Sequence, residues 1–156
     1  MANAIYDEDF AAWLDAQAAA LREHRFGDLD LDNLIEEVES IRRAEVRNVE
    51  HHAQVVVAQL LQLAYSTLGD PRRSSKSTAH AHRHELGRRL TPILRGELEA
   101  NLQEVYANAR EIAATVLETE GTNLEWVPRN CPYTLEEILA DDWFPTNVYG
   151  FDRLET

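Results

Sequence analysis

Hydrophobic positions recur with a helical period along most of the chain. In residues 7–25 the apolar side chains fall on one stripe, and a second stripe runs from residue 31 to about residue 66 without a proline or a glycine. Positions spaced three and four apart share one face of an α-helix, so we predict one long helix over about 31–66. The residues expected to be buried on its face are Leu34, Val38, Ile41, Val56, Leu60 and Leu63.

Residues near the ends of these stripes indicate where the helices begin and end. Asp30 is expected to cap the long helix, because a carboxylate at that position accepts hydrogen bonds from the first free backbone amides. Gly27 lies at a position typical of a helix stop, and Gly69-Asp70-Pro71 indicates a turn after the long helix.

Another helix is predicted over about 93–118, where apolar positions recur until Gly121 ends the pattern. Thr91 fits an N-cap and Pro92 the first helical position, which would start a new helix there. The alternative is one helix that is kinked at Pro92.

The C-terminal segment combines aromatic side chains, prolines and one short helix. Thr134 and Glu137 have the spacing of a capping box, which predicts a helix over about 135–142. Four of the twelve aromatic residues lie in 6–26 and six in 126–151, so we expect the two ends to pack together. The rings expected to meet are Trp126, Trp143 or Phe144 from the tail and Phe10 or Trp13 from the first helix.

Composition favours a single all-α domain over 1–156, a bundle of four to five helices. The chain has 156 residues, of which 44% are hydrophobic and 28% charged, and its six glycines and five prolines are too few for a turn-rich β protein. No apolar run reaches about 18 residues, so we expect no membrane span. Cys131 is the sole cysteine and residues 1–10 lack a secretory signal, so we expect a cytoplasmic protein.

The charge is strongly negative but unevenly distributed. The net charge is −13, which disfavours binding to nucleic acid. Seven basic residues nevertheless lie within 72–95, opposed there only by Glu85. We name residues 72–95 the basic arm. It either pairs with acidic helices of the same protein or contacts an anion or a partner, and the candidate contact residues are Arg72, Arg73, Arg88 and Arg89.

Histidines of the basic arm are candidates for metal ligands. His80 and His84 are four residues apart and share a helix face, whereas His82 is expected to point away. Two imidazoles are half of a zinc site, and His51 or His52 could supply a third ligand. The alternative is a solvated polar face. Because the chain has no HExxH motif and no pair of cysteine ligands, we expect no metal and no cofactor.

Several strings, in order along the chain, resemble a known family. They are Tyr6-Asp7-Glu8-Asp9-Phe10 with Trp13-Leu14, Leu29-Asp30 with Asn33-Leu34-Ile35-Glu36-Glu37-Val38-Glu39, Pro71-Arg72-Arg73-Ser74, Cys131-Pro132-Tyr133-Thr134 and Asp141-Asp142-Trp143-Phe144-Pro145. Together they are similar to the bacterial domain of unknown function family twenty-nine. The resemblance implies an all-helical fold in a bacterial cytoplasmic protein and carries over no catalytic residue.

The sequence thus favours a protein without enzymatic activity. It contains no phosphate-binding loop, no nucleophile elbow and no paired catalytic groups. We expect an interaction or regulatory module that binds a protein partner or itself. The alternatives are a metal-binding helical protein that uses His80 and His84, and an anion or nucleic-acid binder that uses the basic arm.

Overall fold

The computed structural model describes residues 2–69 and 72–154. Within these residues the chain forms seven α-helices and no strand, so the predicted all-α fold is confirmed. The helices are α1 Ala2–Glu8, α2 Phe10–Arg22, α3 Leu31–Tyr65, α4 Arg72–Arg89, α5 Pro92–Ala100, α6 Leu102–Thr119 and α7 Leu135–Leu139. None of these helices has the length and apolar character needed to cross a bilayer.

The described helices outnumber the four to five that were expected, because two predicted helices are each divided. Asp9 separates α1 from α2, and its carboxylate accepts a hydrogen bond from the amide of Ala12 at 2.9 Å, which caps α2. Asn101 separates α5 from α6. Both breaks occur at short polar residues that interrupt the helix without disturbing the period of the apolar stripe.

The end of α2 differs from the prediction at Gly27. The helix stops at Arg22, and His24 adopts a left-handed backbone with φ 57°. The amide of Arg25 then bonds the carbonyl of Ala20 at 2.9 Å, which satisfies a free carbonyl of the last turn. A histidine therefore takes the position that glycine usually fills, and Gly27 lies in the short 3-10 helix Phe26–Asp28.

Other predicted boundaries are confirmed. Thr91 caps a separate helix with Pro92 at its start, so the kinked alternative is wrong. Gly121, at φ 81°, ends α6 as the left-handed residue of a Schellman motif. Thr134 and Glu137 form the predicted capping box, although α7 ends three residues earlier than expected. Of the predicted turn at 69–71, Asp70 and Pro71 lie outside the described residues.

Contacts divide the chain into two compact units, Met1–Glu45 and Val46–Thr156, which we call the N-terminal and C-terminal units. The predicted single domain over 1–156 stays a prediction. In the N-terminal unit the buried side chains are Trp13, Gln17 and Ala20. The indole of Trp13 stacks on Phe10 and donates to Asp30 at 3.2 Å.

The C-terminal unit holds a much larger apolar core, built by α3, α4, α5, α6, α7 and the segments that follow α6. Its largest fully buried side chains are Tyr106, Leu60, Leu61, Leu63, Leu86, Leu98, Leu117 and Ile138. Trp143 packs edge-on to Tyr133 with 5.6 Å between the ring centres. The expected pairing of the tail with Phe10 or Trp13 stays a prediction.

The long apolar stripe is buried over only part of its length. Val56, Leu60 and Leu63 are fully buried, as predicted, within a helix that is continuous from residue 31 to residue 65. Val38 and Ile41 are each 65% exposed, so their predicted burial is wrong, and Leu34 is only partly buried.

The side of α3 on which α1 and α2 pack explains this exposure. The hydroxyl of Tyr6 donates to Glu37, which raises the pKa of Tyr6 to about 12, and the indole of Trp13 donates to Asp30. Glu37 and Val38 are consecutive, so they point about 100° apart around the helix. The packing of α1 and α2 beside Glu37 therefore leaves the face of Val38 uncovered within the N-terminal unit.

Candidate interaction surface

Two arginines of the basic arm are structural. Arg72 is only 5% exposed, donates to the carbonyl of Leu63 at 2.9 Å and pairs with Asp152. Leu63 lies in the last turn of α3, whose carbonyls have no partner within the helix. Arg72 therefore caps α3 and joins it to the C-terminal segment.

Arg83 is buried even more completely than Arg72, and its three hydrogen bonds go to backbone carbonyls. Its guanidinium donates to the carbonyls of Ile138 at 2.8 Å, Glu137 at 3.1 Å and Trp143 at 3.0 Å, and it lies 4.9 Å from the ring centre of Phe144. No separate role was predicted for Arg83 from the sequence. A signal existed, because Arg83 lies on the same helical stripe as the buried residues Ala79 and Leu86.

The remaining arginines of the arm lie on the surface. Arg88 and Arg89 share Glu85, at 3.2 Å and 3.5 Å, and Arg73 is exposed in the first turn of α4. Pairing with acidic residues of the same chain is thus observed for Arg72, Arg88 and Arg89. A role of the four candidate arginines in binding a partner or an anion stays a prediction.

The structure brings together a different set of histidines from the one predicted. His80 and His84 are exposed, and the ring of His80 lies edge-on to Phe144 at 5.4 Å. His82, which was expected to point away, meets His52 with 2.9 Å between their Nδ1 atoms. In the described parts of the chain, no three His, Cys, Asp or Glu side chains are placed to hold a metal ion.

His52 and His82 form a hydrogen-bonded pair between α3 and α4. Because the two Nδ1 atoms lie 2.9 Å apart, one of them must carry a proton and donate a hydrogen bond to the other. The pair therefore consists either of two neutral rings in opposite tautomers or of one neutral ring and one protonated ring. Burial lowers the pKa of both rings, and the charges of His51 and, at His52, Arg89 act in the same direction. The fold therefore favours the neutral pair.

Cys131 is a partly buried thiol and not an activated one. Its Sγ lies 3.4 Å from the carbonyl of Tyr133, and burial raises its pKa. A thiol is reactive only as the thiolate, which this environment disfavours. Cys131 therefore offers no nucleophile at neutral pH.

The most unusual surface is the apolar part of the N-terminal unit. Large hydrophobic side chains that are 43–65% exposed there are Ile5, Phe10, Leu14, Leu21, Phe26, Leu31, Ile35, Val38 and Ile41. Within residues 5–45, whose burial the structure describes, the one large apolar side chain that is buried is Trp13. Exposed apolar side chains that lie side by side on one helix face, as those of α3 do, are typical of a binding site.

The centre of this surface lies on α3. Leu31, Ile35 and Val38 follow the i, i+4, i+7 spacing of one helix face, and a shallow groove runs beside them that is lined by Leu34, Ile35, Val38 and Glu39. We call Leu31, Ile35, Val38 and Ile41 the α3 apolar face. Charged residues border it, and Arg43 pairs with Glu36 at 2.7 Å and with Glu39 at 3.8 Å.

These features define an all-α protein that carries an exposed apolar helix face. More particularly, the chain belongs to the family that shares the domain of unknown function DUF29, whose family model matches residues 5–144. The resemblance found in the sequence is thereby confirmed. No curated protein and no solved structure matches the chain.

Proposed function

We propose that the chain is an interaction or regulatory module without enzymatic activity, which works in the bacterial cytoplasm and binds protein through the α3 apolar face. The observation that carries this proposal is the imbalance of the N-terminal unit. Among the side chains described in that unit, nine large hydrophobic ones are exposed and one, Trp13, is buried.

Burial of the α3 apolar face against a partner would be favourable. Val38 and Ile41 are each 65% exposed, and burying most of such a side chain stabilises by about 1–2 kcal/mol. Four neighbouring side chains of this kind supply about 4–8 kcal/mol, which offsets the lower part of the range of roughly 4–15 kcal/mol that association costs. The polar border limits the contact to a defined patch.

The alternatives are metal binding through His80 and His84 and anion or nucleic-acid binding through the basic arm. Metal binding is less favoured, because His80 packs on Phe144 and the closest histidine contact joins His52 to His82. Anion binding is less favoured, because Arg72 is engaged inside the fold and Arg88 and Arg89 share Glu85.

Affinity purification after mild crosslinking in the native host tests the proposal. Three tagged chains are compared: wild type, Val38→Glu on the α3 apolar face, and Ile93→Glu as a matched control, since Ile93 is 72% exposed on α5. We expect proteins that wild type and Ile93→Glu retain to be lost from Val38→Glu. If Val38→Glu retains the same proteins as wild type while all three chains give equal circular dichroism, the α3 apolar face is not a binding site.

A further inference from the structure

We infer that His52 and His82 together bind a divalent copper or nickel ion, which links α3 to α4. The inference goes beyond the proposed function, since both residues belong to the C-terminal unit and the α3 apolar face takes no part. It also differs from metal binding through His80 and His84, because its two ligands come from two helices instead of one. The spacing of residues along a single helix does not reveal such a pair.

The distance between the two rings fits an ion of this kind. Their Nδ1 atoms lie 2.9 Å apart. Metal–imidazole bonds are about 2.0–2.1 Å long, so two imidazole nitrogens that bind one ion at a right angle lie about 2.9 Å apart. Right angles between ligands are typical of Cu²⁺ and Ni²⁺ in square-planar and tetragonal sites. In a tetrahedral zinc site the two nitrogens would lie about 3.3 Å apart, so His52 and His82 would have to separate.

The two rings need only to turn in order to bind the ion. In the hydrogen-bonded pair the lone pair of one Nδ1 is directed at the proton on the other, whereas in a metal site both lone pairs converge on the ion. Rotation about the Cβ–Cγ bond of histidine has broad energy minima, so this turn is accessible to both side chains. The proton on Nδ1 leaves to water as that ring takes a proton at Nε2, so both rings stay neutral.

Neighbouring side chains neither block nor complete the site. The charge of Glu85 favours a cation at both rings, and the charge of Arg89 opposes it at His52. Arg89 lies 3.5 Å from Glu85, so these two charges partly offset each other. The exposed ring of His51 is centred 5.7 Å from that of His52 and 6.2 Å from that of His82. Within the described part of the chain no third His, Cys, Asp or Glu side chain is placed to join the pair, so water completes the coordination.

Isothermal titration of the untagged full chain with Ni²⁺ near neutral pH tests the site. We expect one ion per chain to bind wild type and the double control His80→Gln/His84→Gln alike. His52→Gln and His82→Gln should each raise the Kd about tenfold or more, with unchanged circular dichroism. A wild-type chain that binds no ion at about 100 µM Ni²⁺ overturns the inference. Binding that either single variant retains, or that the double control loses, overturns it too, since the ion then lies elsewhere on the surface.

Cu²⁺ identifies the ligands directly. Electron spin-echo spectroscopy of the Cu²⁺ complex counts the imidazoles that bind the ion. We expect two imidazoles in wild type and in His80→Gln/His84→Gln, and one in His82→Gln. A single imidazole in wild type, or a count that His82→Gln leaves unchanged, overturns the shared site.

Thermal unfolding tests whether the ion links the two helices. His52 and His82 are thirty positions apart, so the folded chain holds them together and the unfolded chain does not. A ligand that prefers the folded chain raises the Tm, and we expect Ni²⁺ at about a hundred times the Kd to raise it by up to about 5–10 °C. EDTA should reverse the rise, and His82→Gln should show none. An unchanged Tm of wild type with Ni²⁺ bound overturns the link between α3 and α4.

Discussion

Arg83 shows how one buried side chain fixes a segment that has little regular structure of its own. Its guanidinium donates to three carbonyls in and just after α7, those of Glu137, Ile138 and Trp143. We predict that Arg83→Met lowers the free energy of unfolding by about 3 kcal/mol or more, because it leaves buried carbonyls without partners. Urea denaturation of the full chain measures this change.

The matched control for that experiment is Arg88→Met. The side chain of Arg88 is 67% exposed and pairs with Glu85 on the surface, so its loss should change stability by less than about 0.5 kcal/mol. Equal effects of the two substitutions would show that Arg83 does not anchor the C-terminal segment.

We expect the pair formed by His52 and His82 to make stability depend on pH. Burial lowers the pKa of both rings below the usual histidine value of about 6.5, so the unfolded chain binds protons before the folded chain does as the pH falls. The contribution of the pair is therefore complete above the unfolded pKa and is lost as the pH falls from there through the folded pKa. We predict that His82→Gln flattens the loss of stability between about pH 7 and about pH 5, seen in urea midpoints.

His84→Gln is the control for this pH dependence. His84 lies on the same helix and is exposed. Its replacement should leave the slope of stability against pH unchanged. A slope that is equally steep in wild type and His82→Gln would mean that the histidine pair does not cause it.

The histidines also show what could be predicted from spacing. The i, i+4 rule placed His80 and His84 on one face of α4, and both are exposed there. The rule carries no information about a second helix. The contact between His52 and His82 joins residues that are thirty positions apart, and it depends on how α4 packs on α3.

The two halves of α3 respond differently to the loss of apolar atoms. Leu60 is fully buried and Val38 is 65% exposed, although both belong to one stripe. We predict that Leu60→Ala destabilises by about 2–5 kcal/mol. Val38→Ala should change stability by less than about 0.5 kcal/mol, because its side chain is mostly exposed. A destabilisation by Val38→Ala as large as that by Leu60→Ala would contradict the exposed face.

This contrast explains why the helix was predictable and its burial was not. The period of apolar residues depends only on local sequence, so the continuous helix from residue 31 to residue 65 was predicted nearly to its ends. A period shows that apolar side chains share one face of a helix, but not which part of that face another element covers. In the N-terminal unit α1 and α2 pack on the side of Glu37, and the apolar face of Val38 is left exposed within that unit.

The last turn of α3 depends on Asn147. The side-chain amide of Asn147 donates to the carbonyls of Leu63 at 2.9 Å and Ser66 at 3.0 Å, and Asn147 is only 6% exposed. We predict that Asn147→Ala lowers the free energy of unfolding by about 2 kcal/mol, because both carbonyls lose a partner away from water. Thermal unfolding measures this loss of stability, and Asn108→Ala is the control. Asn108 is exposed on α6, so its replacement by Ala should leave stability unchanged or raise it slightly.

At the scale of the whole molecule, charge and apolar surface have separate locations. The basic arm lies in the C-terminal unit, where arginines hold α3, α7 and the tail. The α3 apolar face lies in the N-terminal unit. Composition predicted a negative soluble helical protein, but it could not predict this division, which depends on which residues each helix meets.

The last prediction concerns nucleic acid. The net charge of −13 repels phosphate, and the arginines of the arm that would oppose this repulsion are engaged: Arg72 with Asp152, and Arg88 and Arg89 with Glu85. We predict no binding to a labelled DNA or RNA duplex tighter than about 100 µM at about 0.15 M salt. Fluorescence anisotropy measures it, with a titration at about 0.05 M salt to show that the assay detects weak electrostatic binding. Micromolar binding that Arg73→Gln and Arg88→Gln weaken would instead assign an anion site to the exposed side of α4, because of the four candidates Arg73 and Arg88 are exposed, whereas Arg72 is buried and Arg89 is partly buried.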